Sequence, residues 1–141
     1  MSVNKYNPEH YHDPTPYEAL TSIEREQKKE KHKFRPMVYI CSPYAGDIEN
    51  NIKAAQVYSR AAVDAGYIPI APHLLFPQFL DDSVPQEREL GMFFGNVLMS
   101  KCSELWVCGN TVSSGMSAEI KRAKRKGYTV RYFDENMEEK K

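Results

Sequence analysis

The strongest structural signal in the sequence is an alternation of short apolar runs with helical hydrophobic patterns between residues 37 and 133. These patterns predict strands at 37–41, 67–71, 105–108 and 128–133, and helices at 48–65, from residue 85 onward, and at 114–126. Parallel neighbouring strands need long crossover connections, which helices supply. The sequence therefore predicts an α/β domain, a flavodoxin-like or Rossmann-like three-layer sandwich with a mostly parallel sheet of four or five strands.

The two ends of the chain lack this alternation, and this sets the predicted domain limits. Residues 1–34 are interpreted as an N-terminal arm and a charged helix, because residues 24–33 carry eight charges in ten positions and no apolar stripe. Residues 35–133 form the predicted globular domain, and 134–141 form a solvated tail. The arm is either a solvated helix or linker, or a segment that docks on a neighbouring subunit through Tyr11, Tyr17, Leu20 and Ile23.

Composition argues against several classes of protein. Lys+Arg and Asp+Glu both number 19, so the chain lacks the basic excess of a dedicated nucleic-acid-binding protein. No run approaches the roughly 20 apolar residues of a membrane span, and the N-terminus lacks the pattern of a secretory signal peptide. The three cysteines include no CxxC and no metal-ligand spacing. We expect a cytoplasmic protein with reduced cysteines and no bound metal.

Two polar loops follow the first and third predicted strands. Ser42–Asp47 and Gly109–Ser114 each combine small residues with hydroxyl groups and lead into the start of a helix. Ligands of open parallel sheets bind beyond the carboxyl ends of the strands, where the strand order reverses. Helix N-termini at such places favour phosphates and sugar hydroxyls. The loops predict a site of this kind, although neither has a Walker A or GxGxxG pattern and both also suit ordinary tight turns.

Glu119 is the candidate catalytic residue, because it lies on the predicted helix that follows the second loop. Its neighbours Gly115, Ser117 and Ala118 are small and leave space for a ligand beside the carboxylate. A carboxylate next to an anomeric carbon can act as a nucleophile, as it does in retaining glycosidases. The alternative is a solvent-facing glutamate, since residues 121–126 of the same helix are strongly basic.

Three segments in this order resemble the nucleoside 2-deoxyribosyltransferase superfamily. Tyr39–Tyr44 is similar to its opening strand and loop, and Ser113–Ala123 is similar to its nucleophile motif. Residues 72–77 and 87–91 resemble a phage and bacterial branch of that superfamily. The resemblance covers residues 36–133. It implies N-glycosidic bond cleavage, or deoxyribosyl transfer, on a nucleoside or nucleoside 5′-monophosphate without a metal or organic cofactor.

The resemblance also implies roles for individual residues. Glu119 would attack the anomeric carbon, Tyr39 would orient Glu119, and Asn96 would contact the base where relatives carry an aspartate. An amide can hydrogen-bond a base but cannot protonate a leaving group. The candidate ligand-binding residues are those of the two loops, with Ser42 and Pro43 on the loop that closes over the sugar: Ser42, Pro43, Tyr44, Gly46, Ser113, Ser114 and Gly115.

The loop residues do not decide whether the ligand carries a 5′-phosphate. Ser113 falls where the transferases carry an aspartate and where relatives that hydrolyse nucleoside 5′-monophosphates carry a phosphate-binding serine, which favours a phosphorylated ligand. Pro43 and Ala45 stand where those relatives carry a second serine and an arginine, which favours the opposite. Because an acidic partner is missing at Asn96 and Ser113, the alternative function is a non-catalytic nucleotide-binding protein that senses or sequesters its ligand.

Two charged residues complete the set of candidate ligand contacts. His73 follows the second predicted strand and either contacts a base or phosphate or bonds to backbone. Arg88 opens the helix that begins at Pro85, where it either reaches a ligand or forms a surface pair with Glu87.

A pair of glycines in the same helix predicts close packing. Gly91 and Gly95 are four positions apart, which indicates close approach of a helix from a second subunit or of the ligand. The resemblance implies pockets that a neighbouring subunit completes. With the adjacent apolar residues 92–94, the pair predicts a homo-oligomer, a dimer or larger.

Overall fold

The computed structural model describes residues 16–141, and the backbone alone at 16–18, 30 and 31. The chain divides into two compact units, residues 1–34 and 35–141. In the first unit, helix α1 spans Pro16–Lys31, over the segment predicted to form a charged helix. Leu20 and Ile23 of α1 are exposed. Tyr11 and the side chain of Tyr17, the other proposed docking residues, lie outside the described residues.

The second unit is built on a parallel four-stranded sheet. Its strands are β1 (Met37–Cys41), β2 (Ile68–Ile70), β3 (Glu104–Cys108) and β4 (Thr129–Phe133). They are arranged in the order β2-β1-β3-β4, and each neighbouring pair is parallel. β2 is an edge strand, which suits Pro69 because proline cannot donate to a partner on that side. The predicted α/β fold and its sheet are confirmed.

Helices cover both faces of this sheet. Helix α2 (Ile48–Asp64) lies on one face, and helices α3 (Pro85–Ser100) and α4 (Ser114–Arg125) lie on the other. On the α2 face the buried cluster comprises Val38, Ile40, Tyr58, Ala62, Trp106, Cys108 and Phe133. On the opposite face it comprises Tyr39, Cys41, Met99, Cys102, Leu105, Val107, Met116, Ile120 and Ala123. Successive residues of β1 therefore contact opposite layers, as the pleat of a strand requires.

Local signals determine where the helices begin and end. The Asp47 carboxylate accepts the Asn50 N–H at 3.4 Å and caps α2. Gly66 and Gly127 follow α2 and α4 with φ values of 91° and 77°, in the left-handed region that glycine adopts readily. The Ser113 hydroxyl accepts the Met116 N–H at 3.2 Å and caps α4. As a result α2 and α4 both begin beside the carboxyl ends of the strands that precede them.

The C-terminal residues 134–141, predicted to be a solvated tail, are mostly exposed but are held against β4. The Lys140 backbone N–H donates to the Tyr132 carbonyl at 2.8 Å, and Arg131 forms an ion pair with Glu139 at 2.9 Å. The Lys140 ammonium group donates to the Gly109 carbonyl at 2.9 Å. The tail therefore covers the outer edge of β4 and reaches the loop that follows β3.

Candidate active site

The candidate site lies where the strand order reverses. β1 and β3 are neighbours at the centre of the sheet, and the chain leaves β1 toward α2 on one face and β3 toward α4 on the other. An opening forms beyond the carboxyl ends of two such strands, because their connections diverge. The Cys41 thiol, 3.9 Å from the Met116 carbonyl oxygen, joins the end of β1 to the first turn of α4. The two predicted loops therefore lie at the same edge of the sheet, one on each side of this point.

Glu119 lies half-buried in the second turn of α4, and the structure brings it together with Tyr39 of β1. The Tyr39 hydroxyl donates a hydrogen bond to the Glu119 carboxylate. Burial raises the pKa of Glu119 to about 7, and the bond from Tyr39 acts in the opposite direction. Burial also raises the pKa of Tyr39 far above its ordinary value, so its hydroxyl stays protonated and remains a donor.

This arrangement suits a carboxylate that reacts with a ligand. With a pKa of about 7, Glu119 changes its charge around neutral pH, and the ionised form increases as the pH rises. A hydrogen bond from one hydroxyl engages one carboxylate oxygen, so the second oxygen can face a bound molecule. An ionised group whose charge is poorly solvated is also a stronger nucleophile or base than the same group in water.

The loop after β1 is held by His73, from the segment that follows β2. The His73 ring hydrogen-bonds to the Ser42 backbone and stacks on the Tyr44 ring at a centroid distance of 5.0 Å. Burial lowers the pKa of His73, while Asp82 and the Ser42 backbone raise it in part. His73 thus contacts the loop that carries Ser42, and its contact with a ligand stays a prediction.

The Ser42 hydroxyl, directly after β1, is an unsatisfied polar group. Ser42 is only 1% exposed, and its Oγ has no hydrogen-bond partner among residues 16–141. Buried polar groups are nearly always hydrogen-bonded, because an unpaired one costs free energy. Ser42 Oγ is therefore a hydrogen-bonding group that the described residues leave unused.

The remaining loop candidates lie around the opening in different environments. Ser113, the half-buried cap of α4, precedes the exposed Ser114 and Gly115. Pro43 is half-buried, and the exposed Gly46 has a φ of 97°, which explains why glycine occupies this position. All of these residues belong to the loops, or to the first turn of the helix, that follow β1 and β3.

Two predicted residues on α3 are not joined to the pair formed by Tyr39 and Glu119. Asn96 is half-buried and Arg88 is exposed. Within residues 16–141 neither one hydrogen-bonds or ion-pairs with Tyr39 or Glu119.

In the same part of the chain, no group of three His, Cys, Asp or Glu side chains could hold a metal ion. None of the described helices is long and apolar enough to cross a membrane.

The structure corrects the interpretation of the glycine pair in α3. A Cβ added at Gly95 would lie 3.2 Å from the Tyr39 hydroxyl oxygen, and one at Gly91 would lie 3.6 Å from Leu80 Cδ1. The close approach at the buried Gly95 is therefore made by its own chain and not by a partner helix, whereas the role predicted for the half-buried Gly91 stays a prediction. A glycine inside a predicted helix indicated close packing, but the local pattern could not show that the Tyr39 hydroxyl is the group packed against Gly95.

Cys41, like Gly95, lies close to the Tyr39–Glu119 pair although the sequence analysis did not place it in the site. Its buried thiol has a pKa raised by burial and then by the nearby Glu119 carboxylate. The thiol therefore stays neutral and contributes no charge beside Glu119. Its place at the end of β1 follows from the predicted strand, but its proximity to Glu119 depends on how α4 packs.

The fold and the site together describe a parallel α/β protein with a half-buried carboxyl group near its topological switch point. A family model described as a domain of unknown function (DUF7768) matches residues 36–133, and the chain belongs to this family. A solved structure of a 2-deoxyribosyltransferase from the psychrotolerant bacterium Bacillus psychrosaccharolyticus has a similar fold. Its TM-score is 0.60 and its sequence identity 14%, over 72% of this chain and 74% of the other. No curated protein matches the chain in sequence.

Proposed function

We propose that this protein cleaves the N-glycosidic bond of a nucleoside or nucleoside 5′-monophosphate through Glu119. The observation that carries the proposal is the half-buried Glu119 carboxylate, paired with the Tyr39 hydroxyl near the point where the strand order reverses. The similarity in fold to a 2-deoxyribosyltransferase supports this class of reaction. Water as the acceptor of the sugar makes the protein a hydrolase, and a second base makes it a transferase.

In the proposed reaction, the ionised Glu119 carboxylate attacks the anomeric carbon C1′. A bond forms between a carboxylate oxygen and C1′ while the bond from C1′ to the base nitrogen breaks. The base leaves with the electron pair and takes a proton from solvent. Attack by water on C1′ then releases Glu119 and returns a proton to solvent, whereas attack by another base forms a new nucleoside. The Tyr39 hydroxyl holds the carboxylate in place, and the carboxylate charge stabilises positive charge that develops on the sugar.

The start of α4 favours a phosphorylated substrate. Ser114 and Gly115 lie exposed in its first turn, where free N–H groups and the helix dipole attract anions. The Ser113 hydroxyl accepts the Met116 N–H, and its own proton remains available for a phosphate oxygen. The unpaired Ser42 hydroxyl is a second donor for the sugar or its phosphate.

The direct test is incubation with nucleosides, nucleoside 5′-monophosphates and NAD-type dinucleotides, with free base measured by chromatography. Release of base by the parent, absent in Glu119→Gln, supports the proposal. Adding a second free base separates transfer from hydrolysis, because only a transferase forms the exchanged nucleoside. If the parent releases base from none of the substrates in the panel, the proposed N-glycosidic cleavage is contradicted.

A binding protein without turnover is the second candidate function. Asn96 stands where the resemblance places an aspartate, and an amide cannot donate a proton to a leaving base. Calorimetric binding of a nucleotide by the parent, with no base released on long incubation, would favour this candidate. Glu119→Gln would then retain the binding, because a neutral carboxyl group and an amide differ little in size.

Ser42→Ala tests whether a ligand completes the site. We expect the melting temperature to stay the same or rise, because the variant removes an unpaired buried hydroxyl and no hydrogen bond. Binding of the best nucleotide from the panel should weaken about 2–10-fold. The matched control is Ser59→Ala on α2, since Ser59 Oγ is also buried and unpaired but lines a separate cleft with Pro69 and Leu75. Equal binding by both variants and the parent would place the ligand away from Ser42.

The outer face of α3 supports the predicted homo-oligomer. Leu90, Phe93 and Val97 recur at helical spacing on this face and are exposed, Phe93 to 63%. The nearby Met92 is also exposed. Adjacent apolar side chains of this kind are rarely left in water by a soluble monomer. We propose that a second copy of the chain covers this face in a symmetric dimer.

Phe93→Glu should disrupt this dimer, because each copy would bury a charge at the centre of the apolar contact. Light scattering at micromolar concentration should then change from the dimer mass to the monomer mass of 16.2 kDa. Glu89→Gln, an exposed change on the same helix, should leave the mass unchanged. A parent protein that is already monomeric would contradict the proposal.

A further inference from the structure

We propose that Gly95 is a positioning residue for the pair formed by Tyr39 and Glu119, because its lack of a side chain leaves room for the Tyr39 hydroxyl. Gly95 is buried on α3, and a Cβ there would lie 3.2 Å from the hydroxyl oxygen. This distance is shorter than ordinary van der Waals contact. The effect on turnover rests on the proposed function, whereas the effect on the geometry and titration of Glu119 does not.

Tyr39 has little freedom to move away from a side chain at position 95. It lies on β1, which is paired on both sides, and only 4% of its surface is exposed. Its cluster includes Met99 and Leu105. Close-packed interiors accommodate an added methyl group only by displacing side chains. A shift of a few tenths of an ångström at the hydroxyl is enough to misalign a hydrogen bond, because its strength depends steeply on geometry.

Helix stability gives no reason for a glycine at this position. Glycine in the middle of a helix is less stable than alanine, because it loses more backbone freedom on folding. Gly91, one turn earlier in α3, provides a matched comparison. Its added Cβ would meet Leu80 Cδ1 at 3.6 Å, which is an ordinary contact. The same Gly→Ala change therefore tests helix propensity alone at position 91, and propensity together with the Tyr39 contact at position 95.

The groups that act on this carboxyl are few, so its titration can be interpreted. The Tyr39 hydroxyl lowers the pKa of Glu119, and Cys41 is the other titratable group of β1 close to it. Cys102 acts on Tyr39, and burial raises its pKa to about 11. Because burial raises their pKa values, Tyr39, Cys41 and Cys102 are all neutral near pH 7. Displacing the Tyr39 hydroxyl should therefore raise the pKa of Glu119. Removing the hydroxyl in Tyr39→Phe should also raise it.

The experiment compares four variants: Gly95→Ala, Gly91→Ala, Tyr39→Phe, and the double change of Gly95→Ala with Tyr39→Phe. Glu119 is titrated by NMR of carboxyl-labelled glutamate, with Glu119→Gln identifying its signal. We expect Gly95→Ala to raise the pKa of Glu119 by about 0.5–1 and to lower kcat about 5–20-fold, with little change in KM. Gly91→Ala should leave both unchanged and raise the melting temperature by about 2–4 °C.

The double variant separates the Tyr39 contact from any other effect of the added methyl group. Phenylalanine lacks the hydroxyl oxygen that the Cβ would meet, so Gly95→Ala should have no further effect on kcat or on Glu119 in the Tyr39→Phe background. If Gly95→Ala fails to fold, recovery of folding in the double variant supports the proposal, and failure of both overturns it. A pKa of Glu119 in Gly95→Ala equal to that in the parent also overturns it, whether or not the parent releases base.

Discussion

Glu119→Gln is expected to lower turnover by about 10³–10⁶-fold, the range seen when a catalytic nucleophile is removed. Glutamine has nearly the same size and can still accept a hydrogen bond from Tyr39, but its amide oxygen cannot form a stable ester with the sugar. Ground-state binding of the nucleotide should change little, because the carboxylate charge acts mainly on the positive charge that develops in the transition state. The measurement is single-turnover base release together with equilibrium binding.

The control for this variant is Glu89→Gln, which removes one carboxylate from the exposed surface of α3. It should retain the parent's rate. Turnover retained by Glu119→Gln would show that the resemblance misassigned the chemistry. A loss of binding as large as the loss of rate would indicate that Glu119 serves mainly to hold the ligand.

The second large effect is expected in the pH dependence of stability. Burial raises the pKa of Glu119 from 4.5 to about 7 in the folded protein. Between these two values the folded state keeps a proton that the unfolded state has lost, so the contribution of Glu119 to stability is complete below pH 4.5 and is lost as the pH rises through 7. Glutamine does not ionise. Glu119→Gln should therefore be more stable than the parent at pH 8 by about 1–3 kcal/mol, with the lower end applying if solvent screens the half-buried group.

Chemical denaturation at pH 4 and pH 8 measures this difference directly. At pH 4 the free energies of unfolding of the two proteins should be nearly equal, because Glu119 is neutral there. The same titration should appear in the parent's activity, since only the ionised carboxylate attacks C1′ and kcat/KM should rise as the pH increases through about 7. An equal gain in stability at both pH values would show that burial does not perturb Glu119.

The fold could be predicted from local pattern because each of its signals lies within a short segment. Apolar runs marked the strands and helical patterns marked the helices, whose ends depend on nearby residues such as Asp47 and Gly66. The alternation of strands and helices then left a parallel sheet as the arrangement with short, right-handed connections.

The positions of the two polar loops were also predictable, because the carboxyl ends of parallel strands lie at one edge of a sheet. The contact between Tyr39 and Glu119 was implied by the resemblance to a known superfamily. It could not be derived from spacing, because the two residues lie on different elements. The sequence left His73 between a ligand contact and a bond to backbone, and its bond to the Ser42 backbone depends on how two distant segments pack.

Tertiary packing decided the properties that govern the proposed chemistry. The pKa of Glu119 depends on how far α4 and β1 exclude water from it, and the missing partner of Ser42 Oγ depends on every element around the loop. Gly95 acquires its significance only because α3 crosses β1 at the Tyr39 hydroxyl. Secondary structure arises from backbone geometry and the periodicity of neighbouring residues, which a sequence contains directly. Desolvation and close contact arise between residues far apart in the chain, so they exist only once the layers have packed.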